Sequence, residues 1–428
     1  MTGRRGILGL VAGAMAALTL APEAPAAAAR AAVPARRWPM RRDGADLLVE
    51  TPHYRVRTDL GEEVGQAVAT QQEVLFTELY RRMGAGKPRV PFERLRVLVY
   101  ERYERYVAEL GGAVAGSRGV FVPAKDVLAC WARADQLDVI LQTLRHEGTH
   151  QFVLHFIGPD CPIWLNEGLA VFHEEAEFDR GRLTVGQVPP GRLNVVKRAM
   201  AEGRLIPLAE MLAMTGPQWL ANVQAGGPRG PLQYGQAWAM VHFLAYADDK
   251  RYQRAFLQYI YYLSRNEGPE RAWQRTFGPN TRAFQDRWEE YVRGLRASAG
   301  LDCRLNLRLL GWLLLQARGR EDLVKDMATF RQAVLDGKFG AWRVQTSDGY
   351  ALESGDREKV AALFKCSEDK RKDADTSYIL VPGAEGEPPV LRCQHHGMTV
   401  LETRYVKDEK GQCAEVTVVA RPAAPGRR

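Results

Sequence analysis

The stretch from Ile140 to Ile157 is the most constraining part of this chain. Ile140, Leu141, Leu144, Phe152, Val153, Phe156 and Ile157 make a predicted helix apolar on most sides, yet His146-Glu147-Gly148-Thr149-His150-Gln151 is set into it. A helix this apolar is expected at the floor of a cleft, where its polar groups need partners. Residues four apart on an α-helix lie about 40° apart around the axis and about 6 Å along it. His146 and His150 therefore point to one side and can share one metal ion. Glu147 is turned about 100° from His146. It can stand beside the metal and take a proton from a water molecule without being a ligand.

A catalytic zinc site takes three protein ligands and keeps one position open. Sixteen residues separate His150 from Glu167, which sits in Trp164-Leu165-Asn166-Glu167-Gly168-Leu169-Ala170-Val171-Phe172-His173-Glu174. The end of one helix, a turn through Gly158-Pro159-Asp160-Cys161-Pro162 and the start of a second helix fit that interval. Such a turn can bring Glu167 back to the metal.

Together the two segments resemble the zinc core of gluzincin metallopeptidases, particularly the aminopeptidase N type, in which H-E-x-x-H-Q is followed by W-L-N-E-G-x-A, an aromatic and an acid. His146, Glu147, His150, Gln151, Trp164, Leu165, Asn166, Glu167, Gly168, Ala170, Phe172 and Glu174 follow that pattern in order. The resemblance implies one zinc ion per chain, held by His146, His150 and Glu167, with Glu147 as general base. The spacer is slightly shorter than in the best-known members. Metzincins are disfavoured, because Val153 and Phe156 stand where they need Gly and His.

Glu174, two turns beyond Glu167, is a candidate to orient a ligand from behind, as is Asn166; a solvated acid is the equal alternative for Glu174. His155 and His173 are spare imidazoles, expected to be structural or exposed. Tyr234, 67 residues after Glu167 in Gln233-Tyr234-Gly235-Gln236, resembles the tyrosine that stabilises the oxyanion in aminopeptidase-type enzymes. Its other reading is an aromatic on an amphipathic helix. The G-x-M-E-N motif that binds a substrate's free amine is missing; its place reads Gly119-Val120-Phe121-Val122-Pro123. An endopeptidase that binds a peptide or protein substrate along an edge strand is therefore expected. Two readings stand beside it: a non-catalytic binding or scaffold protein on a gluzincin fold, and a hydrolase of non-peptide amides.

The expected fold class is α+β. A mixed α/β subdomain over residues 44–135 carries strands at Tyr54–Thr58 and Arg94–Tyr100, helices at Glu62–Met83 and Glu101–Leu110, and a hairpin of Gly119–Val122 with Val127–Trp131. A helical zinc-binding subdomain follows over 136–300, then a helical extension over 301–345 and a small β-rich appendage over 346–428. The appendage has strands at Tyr378–Val381, Val390–Cys393, Thr399–Tyr405 and Glu415–Ala420. This strand–helix–strand–hairpin order, with Phe277-Gly278 and Trp288-Glu289-Glu290-Tyr291 downstream, resembles a family of exported bacterial proteins known as a domain of unknown function with a peptidase-like core. That resemblance covers roughly residues 47–298 and brings no established substrate.

Residues 1–30 read as a cleaved export signal: Arg4 and Arg5, a Gly/Ala-diluted apolar run from Ile7 to Leu20, then alanine-rich cleavage sites. A membrane-spanning helix needs about 20 apolar residues. The expected location is secreted or periplasmic, by the general route or, from the Arg4-Arg5 pair, the twin-arginine route. Residues 31–43 read as a linker and Pro422–Arg428 as a disordered end. The first 42 residues hold seven arginines against one acid, Glu23, so +6 of the chain's net +8 lies there. The rest is near neutral, which argues against a nucleic-acid partner. Six cysteines allow 15 disulfide pairings; Cys393 and Cys413, flanking a predicted hairpin, are the expected pair. Oligomeric state is not legible.

Overall fold

The structure, a computed structural model, describes residues 37–422 except 84–85, 115, 180, 299, 346–350, 368, 370–373, 397–398 and 408–411. The expected export signal, the linker up to residue 36 and the tail from 423 lie outside the described residues. The described chain forms two compact units, residues 37–187 with 195–295, and residues 188–194 with 296–422.

The larger unit opens on a six-stranded sheet of β1 (Met40–Asp43), β2 (Asp46–Glu50), β3 (Tyr54–Thr58), β4 (Leu95–Tyr100), β5 (Gly119–Val122) and β6 (Val127–Trp131). The order is β1-β2-β3-β4-β6-β5. Strands β3, β4 and β6 run parallel to one another; β1, β2 and β5 are antiparallel to their neighbours. Parallel neighbours need a crossover, and α1 (Glu62–Met83) supplies it between β3 and β4. Its buried Val64, Val68, Leu75 and Leu79 keep the spacing that predicts the helix, and Glu62 and Glu63 open it while Arg81 and Arg82 close it, as the helix dipole favours. The short helix after β4 is α2 (Tyr103–Leu110).

Strand β1 corrects the linker reading of residues 31–43. All four of its residues are exposed, and it joins the sheet through its backbone. It therefore has no alternation of apolar and polar residues to reveal it. At the opposite edge, β5 pairs with β6, and their turn ends on Asp126 in a left-handed conformation (φ 46°).

Helices α3 (Leu137–Phe156) and α4 (Ile163–Glu174) follow, then α5 (Pro190–Ala201), which takes residues from both units, α6 (Leu208–Ala213), α7 (Gly216–Gln224), α8 (Arg229–Lys250), α9 (Gln253–Ser264), α10 (Pro269–Phe277) and α11 (Thr281–Gly294). A small hairpin, β7 (Glu177–Asp179) with β8 (Arg182–Thr184), interrupts a region that reads as mainly helical. Strands of three residues are too short to show a period of two.

Close helix crossings hold α3 and α4. A Cβ on Gly168 of α4 would lie 2.6 Å from the Ala237 carbonyl of α8, and a Cβ on Gly148 of α3 would lie 2.7 Å from Gln72 Oε1 of α1. Against the backbone carbonyl only glycine fits; at Gly148 a larger residue would have to displace the Gln72 amide. Helix α1 also reaches α3 through side chains: Gln71 Nε2 donates to the Leu141 carbonyl (2.7 Å) and Gln72 Nε2 to that of Leu144 (3.1 Å).

The smaller unit contains α12 (Leu301–Gln316), α13 (Met327–Leu335), a hairpin of β9 (Arg343–Gln345) and β10 (Ala351–Glu353), and α14 (Arg357–Ala362). An antiparallel meander of β11 (Tyr378–Val381), β12 (Val390–His396), β13 (Thr399–Lys407) and β14 (Cys413–Pro422) completes it. Leu307, Leu310 and Leu314 of α12 and Phe330 of α13 share a core with Leu391, Leu401 and Val418 of the sheet. The helical extension and the β-rich appendage, expected as separate pieces, thus fold around one core.

The expected Cys393–Cys413 pair does not form. Cys393 is on β12 and Cys413 on β14, with β13 between them. Two strand spacings, about 9–10 Å, exceed the roughly 4.4–6.8 Å that a disulfide allows between Cα atoms. Cys303 pairs instead with Cys366, their Cα atoms 4.8 Å apart, and Cys393 Sγ lies 3.8 Å from Cys366 Sγ. The architecture is mixed α and β with a β-rich C-terminal region. No helix among the described residues is long and apolar enough to cross a membrane.

Candidate metal centre

The α3–α4 pair brings His146, His150 and Glu167 to one point. The Nε2 atoms of His146 and His150 are 3.1 Å apart. Glu167 Oε2 lies 3.6 Å from the first and 3.7 Å from the second. Donor atoms around one tetrahedral zinc ion, at bond lengths near 2.0–2.2 Å, stand about 3.3–3.5 Å apart. The three separations, 3.1, 3.6 and 3.7 Å, scatter by a few tenths of an ångström around that size.

The outward nitrogens are committed. His146 Nδ1 is 2.9 Å from Glu174 Oε2, and His150 Nδ1 is 2.9 Å from Asn166 Oδ1. Carboxylate and amide oxygens only accept, so each Nδ1 carries the proton and donates. Each Nε2 then offers a lone pair to the shared point. Glu167 is 1% exposed, and its Oε2 has no hydrogen-bond partner. Three electron-rich atoms thus face one another around a buried, orphaned carboxylate oxygen, an arrangement that a cation resolves. Burial alone would push the His146 imidazole down, but Glu167 and Glu174 carry it well above its usual value. Burial would raise the Glu167 carboxyl, but His150 and His146 hold it below the usual carboxylate range.

Glu147 stands beside this cluster without belonging to it. Its Oε2 accepts from the Phe121 backbone amide at 2.8 Å. That amide belongs to the edge strand β5, so the carboxylate sits along the rim of the sheet.

Tyr234 is half-buried on α8, its ring edge-on to Trp219 at 5.0 Å. It shares a helix face with Ala237, three residues on, which meets Gly168 next to Glu167. His155 and His173 lie outside the cluster. His155 is 0% exposed, and its ring nitrogens face the Val90 carbonyl (2.7 Å) and Asp126 Oδ1 (3.0 Å). His173 Nδ1 is 2.8 Å from the Leu169 carbonyl, and burial pushes this imidazole down to about 4, so it is neutral.

Two residues of this site went unread in the sequence. Arg145 is 2% exposed and donates to the carbonyls of His173 and Glu174 at the end of α4 and to Gln71 Oε1. Burial lowers the guanidinium to about 10, which leaves it charged at neutral pH. The signal was present, an arginine buried in a mostly apolar helix beside the His146-Glu147 pair, but its partners lie in α1 and α4. Gln142, whose amide approaches Glu174 Oε1 at 3.5 Å, had no signal in the pattern.

Among known proteins, no curated protein and no solved structure matches this chain. Residues 140–268, from within α3 through the loop after α9, match a family described as a protein of unknown function, DUF1570.

Proposed function

We propose that this chain is an exported zinc-dependent peptidase of gluzincin type, cleaving within extended peptide segments. The observation that carries this reading is the buried, unpartnered Glu167 Oε2 facing two histidines whose other nitrogens are already committed. His146, His150 and Glu167 would hold zinc, which supplies polarisation of the scissile carbonyl and a more acidic water.

The remaining chemistry belongs to this chain. Glu147 takes the proton from the attacking water and passes it to the leaving amine. The Phe121 amide fixes one of its oxygens and leaves the other for proton transfer. Glu174 and Asn166 hold the two imidazoles in the tautomer that presents Nε2. An extended peptide lies alongside β5 next to Glu147, with the Phe121 amide itself kept by Glu147. No acidic group stands in Gly119-Val120-Phe121-Val122-Pro123 to claim a free amino terminus, so cleavage falls within the chain. Tyr234 donates its phenol to the developing oxyanion.

Metal analysis with a peptide-library digest tests this. The expected result is about one zinc per chain, absent from a His146→Ala/His150→Ala double variant, with cleavage that Glu147→Gln abolishes. Zinc-free protein, prepared without chelator, would refute the metal reading. Zinc-loaded wild type that cleaves no more than Glu147→Gln would make this a binding protein.

A further inference from the structure

We infer that Arg145 is a positioning residue for the metal centre, setting His146 through Glu174; this rests on the zinc reading above. Arg145 precedes His146, so its side chain leaves α3 about 100° away from the metal face. It runs to the C-terminal end of α4, where helix carbonyls have no partners within the helix. There Nη2 donates to the Glu174 carbonyl at 3.0 Å, and Nε lies 3.2 Å from the His173 carbonyl and 3.3 Å from that of Glu174. Nη1 donates to Gln71 Oε1 at 2.7 Å. Gln71 in turn donates to the Leu141 carbonyl, so the clamp is anchored on α1 and α3 together.

Glu174 is the last residue of α4 and is gripped at both ends by adjacent residues of α3. Arg145 holds its backbone carbonyl and His146 its carboxylate. Helix ends fray, and a frayed end here would release the oxygen that fixes the His146 tautomer. A leucine at position 145 would fill the space without the cost of burying a charge. What leucine cannot do is hold two carbonyls and an amide oxygen in one plane, which the guanidinium fork does.

The test measures zinc affinity by chelator competition and records the cobalt(II) absorption spectrum of the full chain, well below the melting temperature. Arg145→Met weakens zinc binding ~10–100-fold, the range for loss of a partner behind a ligand, and alters the cobalt spectrum. Arg145→Lys, which keeps the charge but not the fork, recovers part of both. Glu174→Gln combined with Arg145→Lys binds zinc no more weakly than Glu174→Gln alone, because both act on one path. This cycle decides the matter even if Arg145→Met fails to fold. Additive losses, or an Arg145→Lys that melts earlier but keeps wild-type affinity and spectrum, would overturn the proposal. A wild-type chain that binds neither ion refutes the zinc reading itself, a result separable from both.

Discussion

The middle of α3 and its C-terminal turn, with α4 beside them, carry four buried or half-buried histidines in two different situations. His146 and His150 each commit one nitrogen and turn the other toward the orphaned oxygen of Glu167. His155 commits both nitrogens, to Val90 and Asp126, and His173 is a neutral core side chain that commits Nδ1 to the Leu169 carbonyl while its buried Nε2 meets no partner. Residue type and helix spacing do not separate the pairs; what faces each ring does. An imidazole becomes a ligand when its second nitrogen meets another unsatisfied acceptor, and a structural element when that nitrogen is occupied, as in His155, or is buried away from any such acceptor, as in His173.

The contrast can be broken at the chemistry first. Glu147→Gln lowers kcat/KM by about 10²–10⁴-fold, the usual weight of a general base, while zinc content is unchanged. Steady-state kinetics on a cleaved peptide, with metal analysis of the same sample, checks both. His155→Gln and His173→Gln keep their zinc; loss of zinc in either would erase the distinction between the pairs.

The smaller unit offers a control remote in kind. Cys303→Ser opens a cross-link spanning 63 residues, which costs about 4 kcal/mol on loop entropy. Denaturant titration should show that loss in the smaller unit, with zinc content intact. Cys413→Ser should cost far less, and an equal cost would restore the Cys393–Cys413 pairing.

Gly168→Ala forces a methyl group against the Ala237 carbonyl. A cost of about 1–3 kcal/mol is expected from overpacking, together with weaker zinc binding as Glu167 shifts. Unchanged affinity would show that α4 is not tightly placed by α8.

The smallest effect is on pH dependence. Burial would lower His155, but Asp126 and the Val90 carbonyl hold it above its usual value; burial would raise Asp126, but His155 and Gln151 hold it below. The His155 contribution is complete below an unfolded value near 6.5 and fades as pH rises through the higher folded value. That of Asp126 is complete above an unfolded value near 3.9 and fades as pH falls through the lower folded one. The difference in Tm between wild type and His155→Gln should therefore be widest between about pH 4 and 6.5 and shrink in alkali. A difference independent of pH would contradict the ion pair.

Much of this arrangement was legible because local periodicity carries it. The helical spacing of Val64, Val68, Leu75 and Leu79 and the turn at Pro123 to Asp126 reappear as read. The sequence places His146 and His150 one turn apart, and the turn after Ile157 returns Glu167 to them. Residues whose meaning is set by distant partners were not legible: Arg145 needs the end of α4, Gly168 needs Ala237, and Cys303 needs Cys366. Strand β1 was hidden for the opposite reason, since exposure on both faces removes the alternation that marks a strand.

Zinc-edge X-ray absorption on the wild-type chain reads the ligands of the metal itself. The expected result is about one zinc ion with only nitrogen and oxygen neighbours near 2.0–2.2 Å, including the outer-shell scattering of two imidazoles. A sulfur shell near 2.3 Å would move the metal to the cysteines around Cys366, and no zinc at all would contradict a metal partner for Glu167.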